Sequence, residues 1–184
     1  ETGNFITFPR LDAIERCTHS VTPFWLTATK AKLERLGLLA EAETWARNSE
    51  RLYLLCHKLN VEDIRKSPFM SGYQWWLLQD YWTGSNGIVD HYFRPKPEIA
   101  PEQVRCFNAD VVVLLDGLEP TCRGDQPLSA KVLVSNYSEA AIRNATLRWR
   151  MKLAGKLVAE REVARVAVGQ GEVAQVAEIA IALP

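Results

Sequence analysis

Cysteine, histidine and net charge are all in short supply in this 184-residue chain, and each shortage removes a class of function. The four cysteines, Cys17, Cys56, Cys106 and Cys122, are scattered, with no pair at metal-ligand spacing and a density far below that of a disulfide scaffold. They read as mostly buried thiols, with one disulfide left open. His19, His57 and His91 are equally dispersed and form no zinc pattern, so neither a metal nor a cofactor is expected. Lys plus Arg balance Asp plus Glu at 22 each, and the signs are interspersed. No basic field therefore steers the chain toward nucleic acid or an anionic membrane surface. No apolar run reaches the ~18–20 residues that span a bilayer. An initiator methionine is also lacking, since the sequence opens ETGNFITFPR. Such an opening is expected of a piece of a longer protein, whose signal peptide would have no place to show. The sequence assigns no compartment; for the longer parent, a periplasmic or secreted setting is favoured over the cytoplasm.

What is there is an ordinary globular composition, 47% hydrophobic and 24% charged. The pattern changes character near Asn108. Before it, helix-period segments surround one apolar aromatic run. Thr22 reads as an N-cap with Pro23 at the first helical position, and Gly37 as the stop. A longer helix is expected from about Leu39 to about Lys66, on the spacing of Ala42, Trp45, Ala46, Leu52, Cys56 and Leu59, ending at the Ser67-Pro68 break. The run SGYQWWLLQDYW does not alternate strictly, which predicts a parallel strand covered on both faces, as in an α/β layer or barrel. Thr83 to Gly87 reads as a loop, and RPKPEIAPEQVRCF as a proline-rich turn entering a short helix near Pro101.

After Asn108 the period switches to two. ADVVVLL, LSAKVLVSNY, ATLRWRMKL, KLVAEREVARVAV and VAQVAEIAIALP have strand character. Turn signals separate them at Asp116-Gly117, Arg123 to Asp125, Ala154-Gly155 and Gly169 to Gly171. Leu147, Trp149, Met151 and Leu153 fall on one side of their strand, and Arg148, Arg150 and Lys152 on the other. Strands at this spacing predict an immunoglobulin-like β-sandwich. The first part, by contrast, offers one buried strand with about three helices, which cannot close a sheet without leaving backbone groups unpaired. Further strands are therefore expected from a missing N-terminal portion of the same chain.

Three features, in order, resemble the C-terminal third of a clan-A glycoside hydrolase of family 2, the group of β-galactosidases, β-glucuronidases and β-mannosidases. Glu1-Thr2-Gly3 is similar to the Glu-x-Gly that ends a barrel strand in that family. GYQWWLLQDY has its Trp four residues and its Asp eight residues after the Gly, as Gly72, Trp76 and Asp80. NGIVDHYFRPKPEIAPEQVR is similar to the loop and Arg/Pro/Lys turn that follow. The resemblance covers essentially the whole chain. It implies an α/β plus all-β fold, with the C-terminal portion of a (β/α)8 TIM barrel over residues 1–107, incomplete, and an immunoglobulin-like β-sandwich over 108–184.

The resemblance also implies an activity: a retaining β-glycosidase, β-galactosidase-like by default, acting on terminal β-linked sugars. Such enzymes use two carboxylates about 5–5.5 Å apart, one as nucleophile and one as acid then base. Glu1 matches the nucleophile. The acid/base partner falls upstream, in an Asn-Glu pair outside this sequence, so the 184 residues alone are expected to be inactive. Trp76 would offer its face to a sugar while Trp75 packs the other way; the competing reading makes both core residues. Asp80 would bind a sugar hydroxyl or cap the strand end, and Asn4 and Phe5 would line the pocket or pack the loop. Tyr81, Trp82 and Asn86 sit at the same rim. The expected partner is a carbohydrate, with a homo-oligomeric parent left open.

Other motifs have plainer readings. Arg123-Gly124-Asp125 is ordinary turn chemistry, the sequons at Asn136 and Asn144 matter only where glycosylation machinery exists, and the charges from Glu160 to Arg165 form a solvated strand face. The alternative function is a non-catalytic carbohydrate-binding or scaffold module built on the sandwich.

Overall fold

The computed structural model describes residues 1–184 except 19–22, 68, 82, 120, 122, 125 and 183–184. The expected Thr22 cap, the Pro68 break, the rim residue Trp82, His19, Cys122 and the Asp125 of the turn motif lie outside the described residues. The chain divides into two compact units, Glu1–Ile64 with Phe69–Arg105, and Arg65–Pro68 with Cys106–Pro184.

The helices are α1 (Ala13–Arg16), α2 (Phe24–Leu36), α3 (Ala42–Lys66) and α4 (Pro101–Asn108), with a 3-10 turn at Leu39–Glu41 leading into α3. α2 starts one residue later than the Pro23 spacing predicts: Pro23 is the cap residue, and its carbonyl accepts from the N–H groups of Leu26 and Thr27. The helix stops at Gly37, whose φ of +70° only glycine adopts without cost. There the Gly37 N–H donates to the Glu34 carbonyl and the Leu38 N–H to that of Leu33, closing two of the last carbonyls.

α3 buries one helical stripe: Ala42, Ala46, Glu50, Tyr53, His57 and Val61. The intervals are those of a single face. Ala42 and Ala46 belong to the set expected from the apolar spacing, whereas Leu52 and Leu59 of that set are exposed. Glu50 and Tyr53 are buried with hydrogen-bond partners. Glu50 accepts from Arg10 Nε at 2.6 Å and Nη2 at 3.0 Å, and from the Glu98 N–H at 3.2 Å. Arg10 is held more firmly protonated chiefly by its bonds to Glu50. Tyr53 donates to the Asn86 carbonyl at 2.8 Å.

Beside this stripe lies a second buried charge. Lys96 Nζ donates to Asp80 Oδ1 at 2.8 Å and Thr7 Oγ1 at 3.0 Å, and sits 5.6 Å from the centre of the Tyr53 ring. Asp80 also accepts from the Gly87 N–H at 2.8 Å and from Ser85 Oγ at 3.1 Å. Burial lowers the Lys96 pKa, and the Asp80 carboxylate offsets part of that.

The expected segment of TIM barrel is not formed. Residues 72–80 make no strand ladder; they touch their neighbours through isolated bridges, Thr2 with Trp75 and Gln79 with Val89. Several backbone groups of this segment are paired within the unit. Thr2 serves one side of the segment, while Leu77, Leu78 and Asp80 exchange bonds with residues 86–89. The run is not covered on both faces either. Tyr73, Trp75, Leu77 and Gln79 are half-buried, whereas Gln74, Trp76 and Leu78 are exposed. Its period is two, hidden in the sequence because the exposed positions are also apolar.

In the second unit the five segments marked by alternation form five strands: β1 (Val111–Asp116), β2 (Leu128–Asn136), β3 (Ile142–Leu153), β4 (Lys156–Val168) and β5 (Glu172–Ile181). All pairings are antiparallel, in a three-stranded sheet of order β1-β2-β5 and a two-stranded β3-β4 ribbon. β3 turns into β4 through Ala154-Gly155, both at positive φ, the handedness that suits a two-residue hairpin. Val132, Ile179 and Ile181 pack against Leu147, Trp149 and Met151 of the ribbon, and Val134, Val166 and Val168 form a second cluster.

This arrangement corrects the immunoglobulin-like expectation, since that fold needs about seven strands in two sheets. Here a ribbon of two strands leaves Val111, Val113 and Leu115 of β1 exposed. Asn136, buried at the end of β2, donates to the carbonyls of Ala140 and Gly169 and accepts from Ser138. It closes the turn rather than presenting a modifiable amide.

Removing one half of the Lys96–Asp80 pair leaves the other charge buried. Lys96→Met should destabilise the first unit by about 3–5 kcal/mol, and adding Asp80→Asn should restore part of that. Urea unfolding followed by tryptophan fluorescence measures both; a loss below about 1 kcal/mol for Lys96→Met would show that the pair is not essential to the fold.

Candidate functional site

The backbone joins the segments that carry Glu1 and Trp76. The Thr2 N–H donates to the Gln74 carbonyl at 2.9 Å, and the Trp76 N–H donates to the Thr2 carbonyl at 2.9 Å. In this parallel bridge Thr2 lies opposite Trp75, so Glu1 and Gly3 flank it opposite Gln74 and Trp76. Successive side chains on extended backbone point to opposite sides. Thr2 and Trp75 both point to α3: the Thr2 hydroxyl bonds the Asn60 side chain, and the Trp75 ring stacks on His57 at 4.0 Å and 20°. Glu1 and Trp76 are the neighbours of that pair, one on each segment. Glu1 is exposed, and Trp76 is 36% exposed. The peptide between Trp76 and Leu77 is cis.

The other residues singled out by sequence have distinct settings. Asn4 is exposed, and its Oδ1 accepts from Asn86 Nδ2 at 2.7 Å. Phe5 meets the His57 ring edge-on at 5.1 Å. Asp80 is buried, and its carboxylate is occupied by Lys96, Ser85 and the Gly87 N–H, with His91 Nδ1 at 3.7 Å. Within this unit it holds the loop of residues 80–96 and does not face the Glu1–Trp76 surface through a free oxygen. Tyr81 is exposed.

Beneath the surface lies a group the sequence reading passed over. His57 is fully buried among Phe5, Tyr53 and Trp75, and neither ring nitrogen has a hydrogen-bond partner. Burial pushes its pKa down to about 4. The ring also underlies Gly3, where a Cβ would fall 2.1 Å from His57 Cε1, so no larger residue fits at that position. Tyr53, one turn earlier on α3, accepts from Trp75 Nε1 at 3.3 Å, and burial pushes its phenol up to about 12. The available signal was the interval Glu50, Tyr53, His57, which repeats with the helix but mixes polar residues that hydropathy assigns to solvent.

Two further depressions exist in the first unit. An open cleft of about 450 Å³ is lined by Arg10, Asp12, Glu43, Asp90 and Arg94. Its cations are already matched, Arg10 by Glu43 and Glu50, and Arg94 by Asp12 and Asp90. A void of about 10 Å³ beside Thr7, Asp80 and Lys96 is large enough for about one water molecule. Among the described residues no group of three or more His, Cys, Asp or Glu side chains is arranged to hold a metal ion. Among them, too, no helix is long and apolar enough to cross a membrane.

Compared with known proteins, residues 126–184 match a family model described as a domain of unknown function (DUF8488), which spans β2 to β5. No curated protein matches the chain.

The buried, neutral His57 makes stability depend on pH. Its pKa is lower folded than unfolded, so the unfolded chain binds the extra proton between about pH 6.5 and 4. Stability contributed above pH 6.5 should be lost as the pH falls through that window, by up to roughly 3 kcal/mol. His57→Phe, which cannot be protonated, should flatten this acid limb in urea melts at pH 4.5 and 7. An unchanged limb would mean that the ring is already solvated or paired.

Proposed function

We propose that the first unit carries a β-glycoside site in which Glu1 is the nucleophile and Trp76 the aromatic face for the sugar, as in a retaining β-glycosidase of the β-galactosidase type. The observation that carries the reading is the Thr2–Trp75 bridge. It pairs the segment that begins with Glu1 to the segment that carries Trp76, both residues are exposed, and they are the carboxylate and the indole that the family resemblance selects. A sugar presents a face of C–H groups that stacks on an indole, while its anomeric carbon is open to an adjacent carboxylate.

The chemistry follows from those two groups. The Glu1 carboxylate attacks the anomeric carbon, the bond to the aglycone oxygen breaks with its electron pair, and a glycosyl ester forms on Glu1. Water then cleaves the ester with net retention. An ordinary aglycone needs a proton as it departs. The resemblance assigns that proton to a carboxyl group ahead of Glu1, which these 184 residues do not contain, so no turnover is expected from them alone.

An activated leaving group needs no such proton. The chain incubated with 2,4-dinitrophenyl 2-deoxy-2-fluoro-β-galactoside should acquire one fluorosugar, found on Glu1 by peptide mass spectrometry. Glu1→Gln should abolish the labelling and Trp76→Ala should slow it at least tenfold. Labelling of another carboxylate would move the nucleophile elsewhere. No labelling, with a saturable sugar-induced shift of the Trp76 indole resonance, would make this a binding module without catalysis; neither signal would remove carbohydrate from the reading.

A further inference from the structure

We infer that His57 is a positioning residue for the Glu1–Trp76 surface, because one buried ring is the common support of both segments that form it. The inference rests on the β-glycoside reading for its functional consequence. Its geometric basis stands apart from that reading.

Glu1 and Trp76 are exposed and cannot fix their own separation. Each is followed or preceded by a residue that touches His57. On the N-terminal side Gly3 lies so close that its missing side chain is what admits the imidazole. On the other side Trp75 stacks almost parallel to the ring at 4.0 Å. Phe5 and Tyr53 close the remaining sides, at 5.1 and 4.3 Å between ring centres. A shift of the imidazole by the thickness of one ring would have to displace Gly3, Trp75 or both.

The two segments are otherwise joined by the backbone bonds of Thr2 and by the Thr2–Asn60 side-chain contact. Those bonds fix register along the segments. The ring fixes their depth against α3.

Polar bonding cannot explain the histidine, since both nitrogens are without partners and such groups cost stability when buried. What the surrounding residues use is a flat ring. The role is therefore one of shape, and a phenylalanine should fill it while an alanine should not.

The test is nuclear magnetic resonance on the full 184-residue chain, labelled at backbone and indole nitrogens and titrated with p-nitrophenyl β-galactoside. His57→Phe should bind within about twofold of the unsubstituted chain. His57→Ala should bind at least fivefold more weakly and, before any sugar is added, shift the Gly3 amide and the Trp76 indole together. Gly3→Ala, which meets the ring from the other side, should shift the Trp76 indole together with the Phe5 amide, whose ring also packs on His57, and serves if His57→Ala does not fold. The effects should be less than additive, with Gly3→Ala/His57→Ala no more than about twofold weaker than His57→Ala. Paired shifts in the sugar-free variants support the positioning role even if the unsubstituted chain binds no sugar, an outcome that would sink the carbohydrate reading alone. Additive effects, or a Gly3 shift with the Trp76 indole unmoved, would overturn the positioning role.

Discussion

The ammonium group of Lys96 is the point from which the first unit is organised. Burying it costs several kcal/mol unless its protons are all taken up, and the acceptors come from parts of the chain far apart in sequence. Thr7 supplies a hydroxyl from the N-terminal segment, and Asp80 and Ser85 supply oxygens from the loop that follows the tryptophan pair. Tyr53 of α3 provides the ring alongside. The described residues of this unit form no strand ladder, so few repeating hydrogen bonds fix their tertiary arrangement and such convergent contacts take that part. Arg10 and Glu50 repeat the device one layer away, joining the N-terminal segment to α3 and, through the Glu98 N–H, to the chain that enters α4.

That dependence on partners explains which features the sequence made legible. The strands of the second unit were legible because their order is local. Leu147, Trp149 and Met151 alternate with Arg148 and Arg150, and Ala154-Gly155 supplies the hairpin turn. The arginines then find Glu162 and Glu160 directly across the ribbon. The number of strands in each sheet was not legible, because nothing in an alternating segment states how many neighbours it will have. On α3 the period was readable and the face was not. Glu50 and His57 look like solvent residues until Arg10 and Trp75, forty or fewer positions away, are brought beside them.

The tryptophan run failed for a related reason. A strand covered on both faces and an extended segment with one apolar face exposed have the same composition, and only the neighbours distinguish them. In GYQWWLLQDY the exposed positions are occupied by Trp76 and Leu78, so hydropathy sees no alternation. Part of the pairing expected of further strands is supplied by Thr2 and residues 86–89. The pairing of the Thr2 and Trp75 segments, in turn, depends on a single bridge and not on a closed sheet. Site and fold are thus separable here, as they are in general.

The acidic groups of the first unit bear on how far that site can go by itself. Glu50 is closed on Arg10, Asp80 on Lys96, and Asp90 on Arg94. Burial raises the Asp90 pKa, but the Arg94 and Tyr92 N–H groups and the Arg94 guanidinium outweigh it and hold the carboxyl below its usual range. These carboxylates are spent on holding the N-terminal segment and the 80–96 loop in place, and releasing one to donate a proton would undo the support on which Thr7 and its neighbours rest. The charges that build the unit are therefore unsuited to protonate a leaving group at its surface. Glu1 is exposed and takes no part in these ion pairs.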